Sequence, residues 1–150
     1  MSNDEQYMQM ALKEAAQARD EGSDPYGAVI VRGDVVVPAR NLVATTSDPT
    51  AHSEVVAIRR AAAGWATTDL SGSILYTSFE PCPMCCGAIM VSGITSLIIG
   101  ARRTADDDPP LGEYSVERLL DLAGRRHQFS IRSNVLAAEC QRFYARASAG

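Results

Sequence analysis

Three of the four cysteines of this 150-residue chain fall within five positions, in the run Pro81-Cys82-Pro83-Met84-Cys85-Cys86. Such crowding is a poor layout for a disulfide framework, and the N-terminal stretch, rich in Asp, Glu, Lys and Gln, shows no apolar leader to an oxidising compartment. Metal binding is the better reading. The run stands where a strand gives way to a helix, and His52-Ser53-Glu54 stands at a second strand-to-helix boundary. The two halves read together as one site, which commits the chain to an architecture of alternating strands and helices.

Ser2 and Glu5 have capping-box spacing, and Tyr7, Met8, Ala11, Leu12, Ala15 and Ala18 recur at helical intervals, so the chain opens with an amphipathic helix. Asp24-Pro25-Tyr26-Gly27 breaks it. The β-branched runs at 28–31 and 35–37, joined by the turn signal Gly33-Asp34, read as a hairpin. That turn also accounts for Arg32-Gly33-Asp34, an adhesion tripeptide on paper only. A polar loop through 45–49 precedes a helix over 51–63 that Gly64 stops. A strand follows at 73–78, then a helix that begins with Cys82, with Pro81 tolerated at its first turn. Residues 94–99 form the next strand, 115–122 a short helix, 128–131 a further strand and 135–147 a final helix.

The stretch between the last two strands is long and holds its own helix, so those strands run parallel through a crossover. The expected fold is α/β, a five-stranded mixed sheet with helices on both faces and its last two strands parallel. With 46% hydrophobic residues the chain can bury a sizeable core, in one domain spanning 1–150. Its apolar runs are too short for a membrane span, and a soluble, cytoplasmic protein is expected. Fourteen basic against eighteen acidic side chains give a net charge of -4, which makes nucleic acid a disfavoured partner. Arg102-Arg103 and Arg125-Arg126 are the local basic pairs that work against that average.

Zinc favours imidazole and thiolate ligands, and His52, Cys82 and Cys85 supply three, leaving the fourth tetrahedral position for water as a catalytic site requires. A lone Cys pair also suits redox exchange or a structural zinc knuckle, but the knuckle needs a fourth protein ligand and no second pair is present. His127, the other histidine, reads as a surface residue beside Arg126. Cys86 competes with Cys85 within the same helical turn; the spacing favours Cys85 and leaves Cys86 as a packed core thiol. Cys140, among apolar positions of the last helix, reads as a small buried hydrophobe. Glu54, two positions from His52 on a helix, faces another way and is free to face the water.

Pro25-Tyr26-Gly27-Ala28-Val29, Asn41, Asp48-Pro49-Thr50-Ala51-His52-Ser53-Glu54 and Glu80-Pro81-Cys82-Pro83-Met84-Cys85 together resemble the cytidine and deoxycytidylate deaminase superfamily over nearly the whole chain. The branch they resemble holds bacterial guanine deaminases, tRNA adenosine deaminases and fungal-type cytosine deaminases. The resemblance implies the three-layer cytidine-deaminase-like fold, one Zn2+ per chain on His52, Cys82 and Cys85, Glu54 as the catalytic proton shuttle, and a homodimer. Asn41 matches the position whose amide binds the edge of the substrate ring; its other reading is a turn residue at a strand end. Ala51, Tyr26, Tyr114, Phe143 and Tyr144 are further substrate-binding candidates, the aromatics serving either to stack on a ring or to pack the core.

Residues 101–114, with three consecutive aspartates and two prolines, depart from the glycine-rich segment usual in tRNA-editing relatives. Their layout, with the short helix after them, is similar to fungal-type cytosine deaminases, while the stretch around His52 looks equally like guanine deaminases. The expected reaction is hydrolytic deamination of a small-molecule amino heterocycle (cytosine, azacytosine or an amino-s-triazine such as ammeline), releasing ammonia. Guanine stands next, with tRNA adenosine and a non-catalytic zinc-binding scaffold as the remaining readings. An intact Glu54 argues against the scaffold.

Overall fold

A computed structural model describes residues 1–107 and 109–149, and of residues 145–149 the course of the backbone alone. Asp108, the last of the three consecutive aspartates, lies outside the described residues. Helix α1 (Asn3–Asp20) starts as its capping box dictates: Ser2 Oγ accepts from the Glu5 N–H and the Glu5 carboxylate accepts from the Ser2 N–H. Strands β1 (Gly27–Arg32) and β2 (Val35–Arg40) form the hairpin, in register from Gly27 opposite Arg40 to Arg32 opposite Val35, with Gly33 turning at φ 57°. There follow α2 (Val43–Thr46), α3 (Ser53–Trp65), β3 (Ile74–Phe79), α4 (Pro83–Ser92), β4 (Ser96–Ala101), α5 (Val116–Leu122), β5 (Ser130–Arg132) and α6 (Ala137–Ala149).

The five strands form one sheet in the order β2-β1-β3-β4-β5. β1 is antiparallel to both neighbours, while β3 with β4 and β4 with β5 run parallel, as the long final connection requires. Two apolar cores flank the sheet. Met8, Ala11 and Leu12 of α1 and Cys140 of α6 close over Val29, Tyr76 and Ile98 on one face. Val56 and Ala57 of α3, Ile89 of α4 and Leu120 of α5 close over Ile30, Leu75 and Leu97 on the other. Strands β1, β3 and β4 are therefore covered on both sides and read as almost continuous apolar runs. The edges are blunted: β2 carries Pro38, and β5 is three residues long.

Two glycines set how closely helices approach the sheet. A Cβ at Gly27 would overlap the Ala11 carbonyl oxygen of α1, and one at Gly100 would overlap Cys140 Sγ of α6 and the Ser78 carbonyl oxygen.

Element ends differ from the sequence-based expectation in physically readable ways. α3 runs through Gly64 to Trp65 and is ended by Ala66 in the left-handed region (φ 51°), since a helix held by its packed face tolerates a glycine near its end. α4 begins at Pro83, so Pro83 rather than Pro81 fills the first helical position and Cys82 is the N-cap. The expected polar loop at 45–49 overlaps α2, a single turn started where Asn41 Oδ1 accepts from the Val43 N–H at 2.9 Å. β5 starts at Ser130, after a tight turn over Arg126–Gln128, and α6 begins at Ala137 because Asn134 and Leu136 hold left-handed backbones (φ 65° and 54°). Among the described residues no helix is long and apolar enough to cross a membrane.

Candidate active site

The site lies at the start of α3 and α4, the latter leaving the carboxyl end of β3, where parallel strands of an open sheet present their ligand-binding crevice. Both helices begin in an unusual way. The N-cap position favours Ser, Thr, Asp or Asn, whose side chains bond back to the first turn. Here it is held by His52 on α3 and Cys82 on α4, each extended (φ -65°, ψ 154° and φ -68°, ψ 170°) and neither making a side-chain cap bond. Both side chains are thus left for one another. Cys82 Sγ and Cys85 Sγ each lie 3.5 Å from His52 Nδ1, and the ligand atoms of all three residues fall within 4.8 Å of one another.

One imidazole nitrogen and two sulfurs so gathered suit zinc, whose tetrahedral sites take nitrogen and thiolate sulfur and whose catalytic sites keep three protein ligands. The sulfurs are already differentiated. A hydrogen bond from Cys85, offset by burial and helped by His52, pulls the Cys82 thiol down to about 4, while the Cys85 thiol, the donor in that pair, is pushed up. His52 is raised by its bond to Cys82. Cys86 is buried in the core and takes no part in the cluster; burial raises its thiol to about 11.

Glu54, the second residue of α3, is 6% exposed and lines the cavity beside His52 and Cys82. Burial pushes its carboxyl above the ordinary carboxylate value, and the Ser53 hydroxyl, donating to Oε1 at 2.5 Å, works against that rise. The cavity measures about 360 Å³. Besides those residues its wall includes Asp24, Tyr26, Asn41, Phe79, Glu80 and Arg103.

The expected substrate-binding residues separate into groups. Asn41 and Tyr26 line the cavity. Asn41 is buried, and its Oδ1 serves the start of α2, so the binding and turn readings describe one residue. Ala51 is buried away from the cavity wall, its carbonyl oxygen accepting from the Leu42 N–H and its N–H donating to the Asp48 carbonyl. Tyr114 faces a separate hollow of about 170 Å³, and its hydroxyl donates to the Pro81 carbonyl at 2.5 Å. Tyr144 stands behind the wall, stacked on Phe79 at 4.4 Å between centroids and 6.2 Å from Tyr26. Phe143 lies under the Arg19 guanidinium, at 5.0 Å, outside the cavity. His127 is exposed on a surface turn.

Sequence reasoning gave Asp24, Phe79, Glu80 and Arg103 no place in the site, reading Glu80 only as part of the cysteine motif and Arg103 only as half of a basic pair. Glu80 is the residue before Pro81-Cys82, and its burial follows from three donors: Arg103 N–H on Oε1 at 3.0 Å, with Val116 N–H at 3.0 Å and Arg102 Nη1 at 3.2 Å on Oε2. The signal for Arg103 was its place, directly beyond the carboxyl end of β4.

Comparison with known proteins agrees with this chemistry. Residues 1–101 match the cytidine and deoxycytidylate deaminase zinc-binding region. The chain is 38% identical over 142 residues to a tRNA-specific adenosine deaminase of Bacillus subtilis (strain 168), covering 93% of this chain and 85% of the relative. It is 41% identical over 104 residues to a guanine deaminase of the same organism, covering 68% and 67%. A solved structure from work on tRNA:A34 deaminases superposes with a TM-score of 0.81 at 30% identity, covering 92% of this chain and 98% of that one. A zinc donor set at two helix starts and a match that runs through both halves of it lead to one conclusion: the chain belongs to the cytidine and deoxycytidylate deaminase family and is a zinc-dependent hydrolytic deaminase.

Proposed function

We propose that the protein deaminates a free nucleobase or nucleobase-like amino heterocycle, with Glu54 as the catalytic acid and base. The observation that carries this is a buried carboxylate beside a three-ligand metal set, at one cavity large enough to take a ring system. In the overall reaction the ring C–NH2 and one water give the ring carbonyl, as its lactam, and ammonia. His52, Cys82 and Cys85 would hold the zinc, and the chemistry it would supply is acidification of a water, from a pKa of about 15.7 toward roughly 7.

Glu54 does the proton work. Its desolvated carboxylate takes the water proton onto Oε, delivers it to the ring nitrogen beside the attacked carbon, and later protonates the departing amine. Ser53 holds one oxygen in place. Asn41, its Oδ1 occupied by Val43, offers its Nδ2 donors to the ring edge. Tyr26 and Phe79 form the wall against which the ring lies, backed by Tyr144, and Tyr114 steadies Pro81.

A free ring is favoured over RNA by charge: the cavity wall carries Asp24 and Glu54, with Glu80 already paired to Arg102, against the guanidinium of Arg103, the only one in that wall among the described residues. Cytosine, azacytosine and ammeline head the reading, with guanine beside them. Deamination of a tRNA adenosine is the second reading, favoured by 38% identity to a tRNA-specific enzyme across 93% of this chain. Four free cysteines suit the reducing cytoplasm. Val91 of α4 and Leu122 of α5, 85% and 86% exposed, offer apolar contacts to a second copy in a homodimer.

The test is ammonia release by zinc-loaded protein from cytosine, azacytosine, ammeline, guanine, adenine, cytidine and a tRNA anticodon hairpin. Release from a free ring is the expected result. Release from the hairpin alone would move the assignment to the second reading, and zinc-loaded protein inert toward all of them would return it to the scaffold reading.

A further inference from the structure

The wall of the cavity holds a cation that this chemistry leaves unused. Two arginines follow β4, and their side chains have opposite fates. Arg102 is saturated: Nη1 and Nη2 donate to Glu117 at 2.7 and 2.9 Å, Nη1 also to Glu80 at 3.2 Å, and Nε to Ser133 Oγ at 2.8 Å. Among the described residues Arg103 makes one hydrogen bond, from its backbone N–H to Glu80 Oε1. No carboxylate oxygen of a described residue lies within 4.0 Å of its guanidinium. Its Nε is the one side-chain polar atom among the described residues that is buried without a partner.

The position of that guanidinium explains what it is for. It lies over the Phe79 ring, Cζ 5.1 Å from the centroid, and it lines the cavity with Glu54 and Asn41. A guanidinium laid on an aromatic face spends its flat side there and keeps the N–H groups of its rim free. Among the described residues it is the only Lys or Arg in the cavity wall, and Asp24, also in that wall, makes no ion pair with it. Nε is fully covered and out of a ligand's reach, but the terminal Nη groups make no hydrogen bond to a described residue and are not buried, so they are the donors left for an acceptor of the ligand. Asn41 adds a second donor, because its oxygen is already engaged by Val43. The wall is therefore built around acceptor atoms of a ring, with Asp24 left for a ring N–H.

We infer that Arg103 determines specificity by donating to a ring oxo group, so that the substrates are amino heterocycles bearing a lactam oxygen, of the guanine or cytosine kind, and not rings of the adenine kind. This rests on the free-ring reading above. A ring without the oxygen would bury the Arg103 donors unpaired, and a site built to hydrogen-bond one group discriminates strongly against the analogue lacking it.

The experiment measures kcat/KM on ring pairs that differ by one oxygen, guanine against 2-aminopurine and cytosine against 4-aminopyrimidine, in the zinc-loaded wild type, Arg103→Met and Arg103→Lys. Intrinsic reactivity differs within each pair but cancels when the ratio is compared between variants. Arg103→Met is expected to shrink the preference for the oxo ring by about 10–100-fold, through the oxo member, with Arg103→Lys restoring part of it. An unchanged ratio, or equal loss on both rings, overturns the inference while leaving the free-ring reading intact. Wild-type release from 2-aminopurine or adenine but from no oxo ring does the same, whereas release from the RNA hairpin alone removes both. Zinc content reports whether each variant is folded at the site, and Arg103→Gln, read by the same ratio, replaces the methionine variant if that one does not fold.

Discussion

At the level of single residues the site depends on side chains placed where a helix would ordinarily take a cap. His52 and Cys82 give up the cap bond and turn to each other, so the cost is carried locally by two helix starts. Cys82→Ser or Cys85→Ser is expected to purify with little zinc, while Cys86→Ala, altering a thiol buried in the core, keeps about one zinc per chain; metal analysis of the three variants checks this. Glu54→Gln keeps the shape of the side chain and removes the carboxylate proposed to carry the proton, so kcat should fall about 100- to 10,000-fold with zinc content unchanged. Activity within a few-fold of wild type would show that another group moves the protons. The cluster of His52, Cys82 and Cys85 was legible in the sequence because histidine and cysteine are scarce in it and sit at two marked boundaries. Tyr114, Phe143 and Tyr144 were not separable in advance, since an aromatic at helical spacing packs as readily as it stacks. Arg103 and Asp24 lie in loops, where no periodicity announces direction.

The element that delivers the two thiols is the segment Phe79-Glu80-Pro81, and each of its residues is tied. Thr77 Oγ1 donates to the Phe79 carbonyl at 2.9 Å, Tyr114 donates to that of Pro81, and Glu80 gathers three donors from the segment after β4 and the start of α5. Glu80→Ala strands the two N–H groups and leaves Arg102 with Glu117 and Ser133, which should cost about 3–5 kcal/mol by denaturant unfolding. Glu80→Gln, which keeps oxygen and shape, should recover part of it. Zinc affinity should also weaken, by roughly 10–100-fold, as expected for a residue that orients ligands from behind. The network has a pH signature. Partial burial pushes Glu117 up, but the bonds and charge of Arg102 outweigh it and hold the carboxyl below its ordinary value of 4.5. The stability this contributes is present above that value and lost as pH falls through the lower, folded one, so unfolding midpoints of wild type and Glu117→Gln should converge in acid. Element order and the parallel last strands were readable from connection length. Helix ends were not: Gly64 signals a stop that packing overrides, and of two prolines only the structure tells which occupies the first turn.

Across the whole molecule, the cores on the two faces of the sheet are complete without any metal, for Ile30, Leu75, Leu97 and Val56 close one and Val29, Tyr76 and Ile98 the other. The zinc ligands add a single tie, between the first turns of α3 and α4, on helices already packed over one face. Metal removal should therefore lower stability without unfolding the chain. A ligand present at a thousand times its dissociation constant adds about 4 kcal/mol. For a chain of this size each kcal/mol moves Tm by roughly 2–4 °C, so chelation should lower Tm by about 8–16 °C. The transition should stay single and the far-ultraviolet circular dichroism unchanged at 25 °C, because every strand pairing is independent of the site. Scanning calorimetry of the loaded and chelated forms decides the matter. Unfolding on chelation would make the metal part of the scaffold, and an unmoved Tm would mean that His52, Cys82 and Cys85 do not hold it in the folded protein.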